Sequence, residues 1–175
     1  MEIEISTAGV SCHGSAPERG VNAVYKMAPI IQDITKLNDL LPVREPFGKG
    51  TVTISQIRST SPSLCAVADS CTIHLDRRLT MGETEQTVVA ELNRLASIQT
   101  AEAQVSVMEY AVPSYRGLVY PAKKYYPTWE LAETSVPVRQ ARAAFENTFH
   151  EKAATGFWTF STHGVATAGM FGIPT

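Results

Sequence analysis

Residues 2–34 read EIEISTAGVSCHGSAPERGVNAVYKMAPIIQDI, and the spacing of their apolar side chains changes partway along. Ile3, Ile5 and Thr7 alternate with polar residues, which predicts a strand with one buried face. After a loop rich in glycine and proline, apolar residues recur at helical spacing. Their positions are Val24, Met27, Ala28, Ile31 and Ile34. The stretch therefore predicts a strand, a loop and a helix, with Pro29 as the expected site of a kink.

The same two spacings continue to about residue 110. Three further strands are predicted, with apolar faces at Val52 and Ile54, at Cys71, Ile73 and Leu75, and at Val105 and Val107. A turn is predicted at Gly48-Lys49-Gly50, and the capping-box spacing of Thr80 and Glu83 predicts the start of a second helix. The apolar face of that helix holds Val88, Leu92 and Leu95. The resulting order, β-α-β-β-α-β, predicts an α+β fold of the ferredoxin-like type for residues 1–111.

Residues 112–175 differ in composition from the first part. Up to Trp129 they carry prolines among several tyrosines, which predicts an irregular crossing segment. Ser135 and Pro137 predict the start of a helix, and Phe157-Trp158-Thr159-Phe160 predicts a buried strand before a close-packed, glycine-rich turn. One helix and one strand cannot form a core of their own, so we expect the chain to be a segment of a longer protein.

Charge and composition exclude several classes of function. The formal net charge of −2 gives no electrostatic attraction to nucleic acid or to anionic lipid. No apolar run approaches the ~20 residues that span a bilayer, and the acidic, alternating N-terminus differs from a signal peptide. The three cysteines are an odd number, which predicts reduced thiols and a cytoplasmic location.

Two side chains have positions that suit chemistry. His13 lies in the loop between the first strand and the first helix, where an imidazole can donate a hydrogen bond to a developing oxyanion. From position alone, a loop histidine bonded to a carbonyl is the competing interpretation. Arg78 lies two residues after Asp76, so both face the same side of a strand. A guanidinium at a strand end suits a substrate carboxylate, and a surface salt bridge with Asp76 fits the same spacing.

A metal site is not expected in this chain. His74-Leu75-Asp76 has the His-x-Asp pattern of metal ligands, with both side chains on one face. Two arginines follow directly, however, and no paired glutamates complete a ligand set. Cys65 and Cys71 have neither zinc-ligand spacing nor histidine partners in register, so we interpret them as core or near-core thiols.

Several blocks of sequence together resemble one family of hydrolases. They are Cys12-His13-Gly14-Ser15 with Pro17, Gly20-Val21-Asn22-Ala23, Ala68-Asp69-Ser70-Cys71, Leu75-Asp76-Arg77-Arg78-Leu79, Gly82-Glu83-Thr84, Phe160-Ser161-Thr162 and Gly172-Ile173-Pro174. In this order they resemble the zinc metallopeptidase family of aminoacylase, carboxypeptidase G, acetylornithine deacetylase and succinyl-diaminopimelate desuccinylase. The resemblance covers nearly the whole chain, is most specific around His13, and is nearest to the branch of selenium-metabolism-linked hydrolases.

The resemblance implies a homodimeric enzyme that hydrolyses amide bonds in small peptides or N-acylated amino acids. It implies two divalent metal ions, zinc or cobalt, in the full-length parent. Residues 1–111 would form the lid, or dimerisation, domain, and residues 112–175 would form the crossing segment and part of the catalytic domain. None of the family's metal ligands can be matched to this sequence, so the segment alone is expected to be inactive and to bind no metal.

The same resemblance implies roles for three side chains. His13 would reach the active site of the partner subunit and stabilise the oxyanion, and Arg78 would bind the carboxylate of the substrate. Cys65 stands where many members carry a substrate-facing asparagine, and a thiol lacks the donors and the acceptor of an amide. His163 stands where relatives often carry aspartate or asparagine. The alternative from another class is a non-catalytic assembly or small-ligand-binding module of ferredoxin-like fold.

Overall fold

The computed structural model describes residues 1–158, 160 and 162–175. Its strands and α-helices, in chain order, are β1 (Glu2–Ala8), α1 (Ala23–Leu40), β2 (Val43–Arg44), β3 (Gly48–Lys49), β4 (Thr51–Thr60), β5 (Ser70–Arg78), α2 (Glu85–Asn93), α3 (Ala96–Ala101), β6 (Gln104–Val107), β7 (Glu109–Tyr110), β8 (Ala122–Lys123) and α4 (Val136–Phe149). A single 3-10 turn covers Pro17–Arg19 and a π-helix covers Val165–Met170 among these described residues.

Four strands form one antiparallel sheet in the order β4-β5-β1-β6. Ile3 pairs with Leu75 across β1 and β5, and Ile5 pairs with both Ile73 and Val105. Directly paired residues share a face of the sheet, so these apolar side chains point the same way. The predicted α+β class is confirmed, whereas the ferredoxin-like type stays a prediction.

The core lies between the helices and one face of this sheet. Its fully buried members include Ile3, Ile5, Met27, Ile30, Ile34, Ile73, Leu75, Val88 and Leu92. Each such side chain contributes about 1.5–3 kcal/mol relative to an exposed one. The opposite face carries polar side chains that are partly buried. This arrangement gives β1 and β5 the strict alternation from which both strands were predicted.

Helix α1 begins at a capping residue that the sequence also marks. The Asn22 side chain accepts a hydrogen bond from the Val24 N–H at 2.9 Å, which satisfies one of the free donors at the helix start. The predicted apolar face was partly wrong, because Ala28 is exposed and Ile30 is buried. In a helix with 3.6 residues per turn, one stripe contains residues 23, 27, 30 and 34, and residue 28 lies beside that stripe.

The start of the second helix was predicted at the wrong place. Thr84 caps α2, and the reciprocal partner of the capping box is Thr87. Glu83 accepts the Thr80 N–H at 2.9 Å, as in a capping box, but its other carboxylate oxygen binds the buried Arg77 guanidinium. The chain therefore turns once more before the helix begins. Helix α3 was not predicted, and Gly48-Lys49 lies in a short strand pair with β2 in place of the expected turn.

Strands β7 and β8 return the chain to the sheet domain. The Glu2 N–H donates to the Lys124 carbonyl at 2.9 Å, and Lys124 Nζ lies 2.6 Å from a Glu2 carboxylate oxygen. Tyr125 then packs against the core. Residues 122–125 are thus the point at which the second part of the chain is tied to the first.

Beyond this point the chain forms α4 at the predicted place, but the predicted buried strand is wrong. Within the described helix α4 no residue is buried. Of the four residues of the expected strand, Thr159 lies outside the described residues. The other three, Phe157, Trp158 and Phe160, are exposed and lie outside any strand. Gly164 does lie in close packing, since a Cβ there would overlap the Trp129 ring, although the segment that follows it is a π-helix.

Candidate functional site

The loop that carries His13 is held against a second loop that precedes β5. His13 and Ala66 form an isolated antiparallel bridge. The Gly14 N–H donates to the Cys65 carbonyl at 2.6 Å, and the Val67 N–H donates to the Cys12 carbonyl at 2.9 Å. A Cβ on residue 14 would lie 2.7 Å from the Cys65 carbonyl oxygen, so this approach requires glycine.

The His13 ring is exposed, and its Nδ1 is engaged by one neighbouring residue. The Ser15 N–H lies 3.1 Å from Nδ1, and Ser15 Oγ lies 2.7 Å from the same atom. Among the residues that the structure describes, no hydrogen bond reaches Nε2. His13 is therefore no loop histidine bonded to a carbonyl, which was the competing interpretation, and its second nitrogen is left available.

His13 and Cys65, which were predicted separately, lie in one open cavity of about 600 Å³. Its lining residues are His13, Gly14, Ser15, Pro17, Gly20, Asn22, Tyr25, Leu64, Cys65, Ala66 and Val67. Within this described lining no side chain carries a formal charge. Cys65 is exposed, so the interpretation of this thiol as a core residue was wrong. The reason is that Cys65 lies in the loop between β4 and β5, outside the sheet, whereas Cys71 on β5 is buried.

Arg78 lies at the other end of the sheet. It is the last residue of β5, pairs with Thr51, and its guanidinium contacts Asp76 at 2.8 Å. The nine residues of β5 span about 26 Å at ~3.3 Å per residue, and the His13 loop meets the chain before the first of them. The structure therefore does not bring His13 and Arg78 together within one chain.

The polar face of the sheet carries a connected set of side chains around His74. Its Nε2 lies 3.1 Å from a Glu2 carboxylate oxygen, and its Nδ1 bonds to the Ser55 hydroxyl. The Lys124 ammonium, through its hydrogen bond, lowers the pKa of Glu2 below its usual value of 4.5. Asp76 is occupied by Arg78. The described residues contain no cluster of three metal-ligating side chains, so the His-x-Asp pattern is not part of a ligand set for a metal ion.

Arg77 is a buried charge that the sequence analysis missed. Its side chain is 1% exposed and contacts Glu83 at 2.5 Å and Glu91 at 3.6 Å. Burial raises the pKa of the Glu91 carboxyl, against the effect of the Arg77 charge. The alternation of β5 does place residue 77 on the buried face with Leu75, which was the available signal. The paired charges hold the β5 end to α2.

A family model described as the peptidase dimerisation domain matches residues 1–104. The fold and this match define a dimerisation module of peptidases. The chain belongs to the peptidase dimerisation domain family of the M20 peptidases.

Similar proteins extend beyond this chain. The uncharacterized protein YgeY of Escherichia coli strain K12 is 49% identical over 174 residues, which cover 99% of this chain and 43% of that protein. The YgeY protein of Escherichia coli O157:H7 is similar to the same extent, with 49% identity and 43% of its length covered. This chain thus spans less than half of these relatives.

Two solved structures share the fold. The aminopeptidase PepT of Bacillus cereus has a TM-score of 0.61 with 18% identity, over 99% of this chain and 41% of that one. A tripeptidase of Staphylococcus aureus has a TM-score of 0.61 with 17% identity, over the same shares of the two chains. In the part of the chain that the structure describes, no helix has the length and apolar character needed to cross a membrane.

Proposed function

We propose that this chain is the dimerisation segment of a longer, metal-dependent hydrolase that cleaves amide bonds of small peptides or N-acylated amino acids. Two copies pair through residues 1–111, and His13 of each subunit serves the active site of the other. One observation carries the proposal: His13 and Arg78 lie at opposite ends of an antiparallel sheet that has a long, exposed edge strand.

Strand β4 is the surface that suits a second copy. It has ten residues, lies at the edge of the sheet and, in the described chain, pairs with β5 alone. An edge strand of this length offers a row of free backbone donors and acceptors to another strand. Ile57 on this strand is 52% exposed although its partner Ile73 is fully buried. The Val52 N–H already binds Asn38 Oδ1 at 3.0 Å, and a second copy of β4 would satisfy further backbone groups and cover Ile57.

A two-fold axis at this edge would place complementary residues together. Two β4 strands related by such an axis run antiparallel, so the Thr60 end of one meets the Thr51 end of the other. The loops of His13 and Cys65 lie beyond the Thr60 end, and Arg78 pairs with Thr51. His13 and Cys65 of one subunit would therefore share an end of the joined sheet with Arg78 of the partner subunit.

This end of the joined sheet would offer three kinds of contact to a substrate. The Nε2–H of His13 would donate to the oxyanion that forms when the amide carbonyl is attacked. Arg78 would bind a carboxylate of the substrate, since its present pair with Asp76 is exposed and costs little to exchange. Cys65 would line the substrate pocket with a small, weakly polar side chain in place of an asparagine.

The remaining chemistry would come from outside this segment. The side chains here do not fit a metal, so we assign the metal ions and the attacking water to the rest of the longer protein. Exposed apolar residues after position 135 support this division. They include Phe145, Phe149, Trp158, Phe171 and Ile173. We propose that this surface packs inside the catalytic domain, that the chain alone is inactive, and that the whole protein resides in the cytoplasm.

The experiment is complementation between two variants of the full-length enzyme that contains this segment. His13→Ala and Arg78→Ala homodimers should each lose activity, because every site lacks one contact. A heterodimer of the two has one site with both defects and one site with none. Activity should return toward half of the wild-type value per heterodimer.

If His13 and Arg78 act in the same subunit, each heterodimer site keeps one defect and activity stays low. That result, with heterodimers verified by two affinity tags, contradicts the exchange of His13 between subunits. Arg94→Ala provides a control for the loss of an exposed arginine, since Arg94 lies at the end of α2 and outside β4. It should keep near-normal activity.

A further inference from the structure

Ser15 directs two hydrogen-bonding groups at a single atom of His13. Its main-chain N–H lies 3.1 Å from Nδ1, and its hydroxyl oxygen lies 2.7 Å from the same nitrogen. A hydroxyl can donate or accept, so its distance alone does not identify the proton on the ring. An amide N–H can only donate. The amide contact therefore identifies which ring nitrogen of His13 carries the proton.

A proton on Nδ1 would point at the hydrogen of the Ser15 amide. The approach is favourable only when Nδ1 carries a lone pair, and the Ser15 hydroxyl then donates as well. In the neutral ring the remaining proton is on Nε2. We infer that Ser15 is a positioning residue, which uses its amide and its hydroxyl together to hold His13 as the Nε2–H tautomer.

The inference deepens the proposed function, on which its catalytic meaning rests. An oxyanion binds a donor, so a histidine in the opposite tautomer would present a lone pair to negative charge. His13 is exposed, and among the described residues Ser15 supplies its side-chain hydrogen bonds. Without Ser15 the ring could turn and exchange tautomers freely. Ser15 thus prepares the donor before the substrate arrives.

The test is long-range proton–nitrogen correlation NMR on the full 175-residue chain, at a pH where the rings are neutral. His13 should show a protonated Nε2 and an unprotonated Nδ1, without averaging between the two. The exposed His163 of the same chain serves as the internal reference for a ring that averages. An averaged His13 spectrum like that of His163, or a protonated Nδ1, overturns the inference.

Ser15→Ala tests the hydroxyl separately from the amide. The Nδ1 resonance of His13 should move because one of its two donors is gone, while Nε2 stays protonated because the amide remains. An unchanged Nδ1 resonance in Ser15→Ala overturns the inference that the hydroxyl acts together with the amide.

Ser11→Ala is the matched control, because Ser11 lies in the same loop and its hydroxyl donates to the Val67 carbonyl at 2.8 Å. It should leave the His13 resonances in place. The NMR measurement needs no enzyme activity. The tautomer of His13 and its proposed exchange between subunits can therefore be contradicted independently of each other.

Discussion

The two parts of the chain, residues 1–111 and 112–175, use apolar residues in opposite ways. Of the apolar side chains that are buried in the described structure, all lie between Met1 and Ala101 except Val165. The second part places most of its aromatic residues on the surface. Apolar content alone therefore does not form a core, because each buried side chain needs a partner surface within reach.

Separation of the two parts should give the largest difference between them, in folding and in association. A chain of residues 1–111 should unfold cooperatively and sediment as a dimer, because both faces of its core are present. A chain of residues 112–175 should show no cooperative transition. Circular dichroism on heating and analytical ultracentrifugation measure the two properties. A first part that stays monomeric at high micromolar concentration, or a second part that melts cooperatively, would contradict this difference between the two parts.

Truncation of one large side chain in each part should give the next largest difference, in the free energy of unfolding. Ile73→Ala should cost about 2–5 kcal/mol of unfolding free energy, because it leaves a cavity in a fully buried site. Phe149→Ala removes more atoms but should change stability by no more than about 0.5 kcal/mol, because Phe149 is 61% exposed. Urea unfolding of both variants provides the measurement. Equal costs would mean that α4 is packed as tightly as the sheet.

The two helix caps offer a smaller, matched test. Asn22→Ala should cost about 1 kcal/mol, because the side chain binds the Val24 N–H at the start of α1. Ser135→Ala should be close to neutral, because Ser135 at the start of α4 makes no capping bond and its hydroxyl has no partner among the described residues. Thermal unfolding distinguishes them. A Ser135→Ala cost as large as that of Asn22→Ala would contradict the difference between the helices.

The pair of Glu2 and Lys124, which ties the two parts together, should have the smallest effect. The pKa of Glu2 is lowered in the folded chain. The pair therefore stabilises the fold above pH 4.5, and this stabilisation is lost as the pH falls through the folded-state pKa of Glu2. Glu2→Gln should therefore weaken stability near neutral pH and have less effect in acid. Unfolding curves across that range measure this. A Glu2→Gln effect that is the same at all pH values would exclude the ion pair as its source.

The fold was predictable where one strand face is buried along its whole length. β1 and β5 lie inside the sheet, and the result is unbroken alternation from Glu2 to Ala8 and from Ser70 to Arg78. The start of α2 was not predictable, because Glu83 binds both the Thr80 N–H and the buried Arg77 in a turn that precedes the helix, which is capped by Thr84. Local spacing carries no information about which distant charge a glutamate will bind.

The candidate site was predictable only in part. The loop position of His13 was evident from the sequence, as was the place of Arg78 at a strand end. The meeting of His13 with Cys65 depends on how two distant loops pair, and the exposure of Cys65 follows from that pairing. The roles assigned to these three residues stay predictions.

The β-bulge between Ile54 and Gln56 changes which residues of strand β4 face the core. Even-numbered residues face the core before Ser55, where Val52 and Ile54 pair with Arg77 and Leu75, and odd-numbered residues face it afterwards. Deletion of Ser55 would restore uniform alternation and leave every residue beyond it opposite its present partner on β5. Ile57 would still face the core side with Ile73, so β4 carries one extra residue whose removal moves none of its neighbours to the other face.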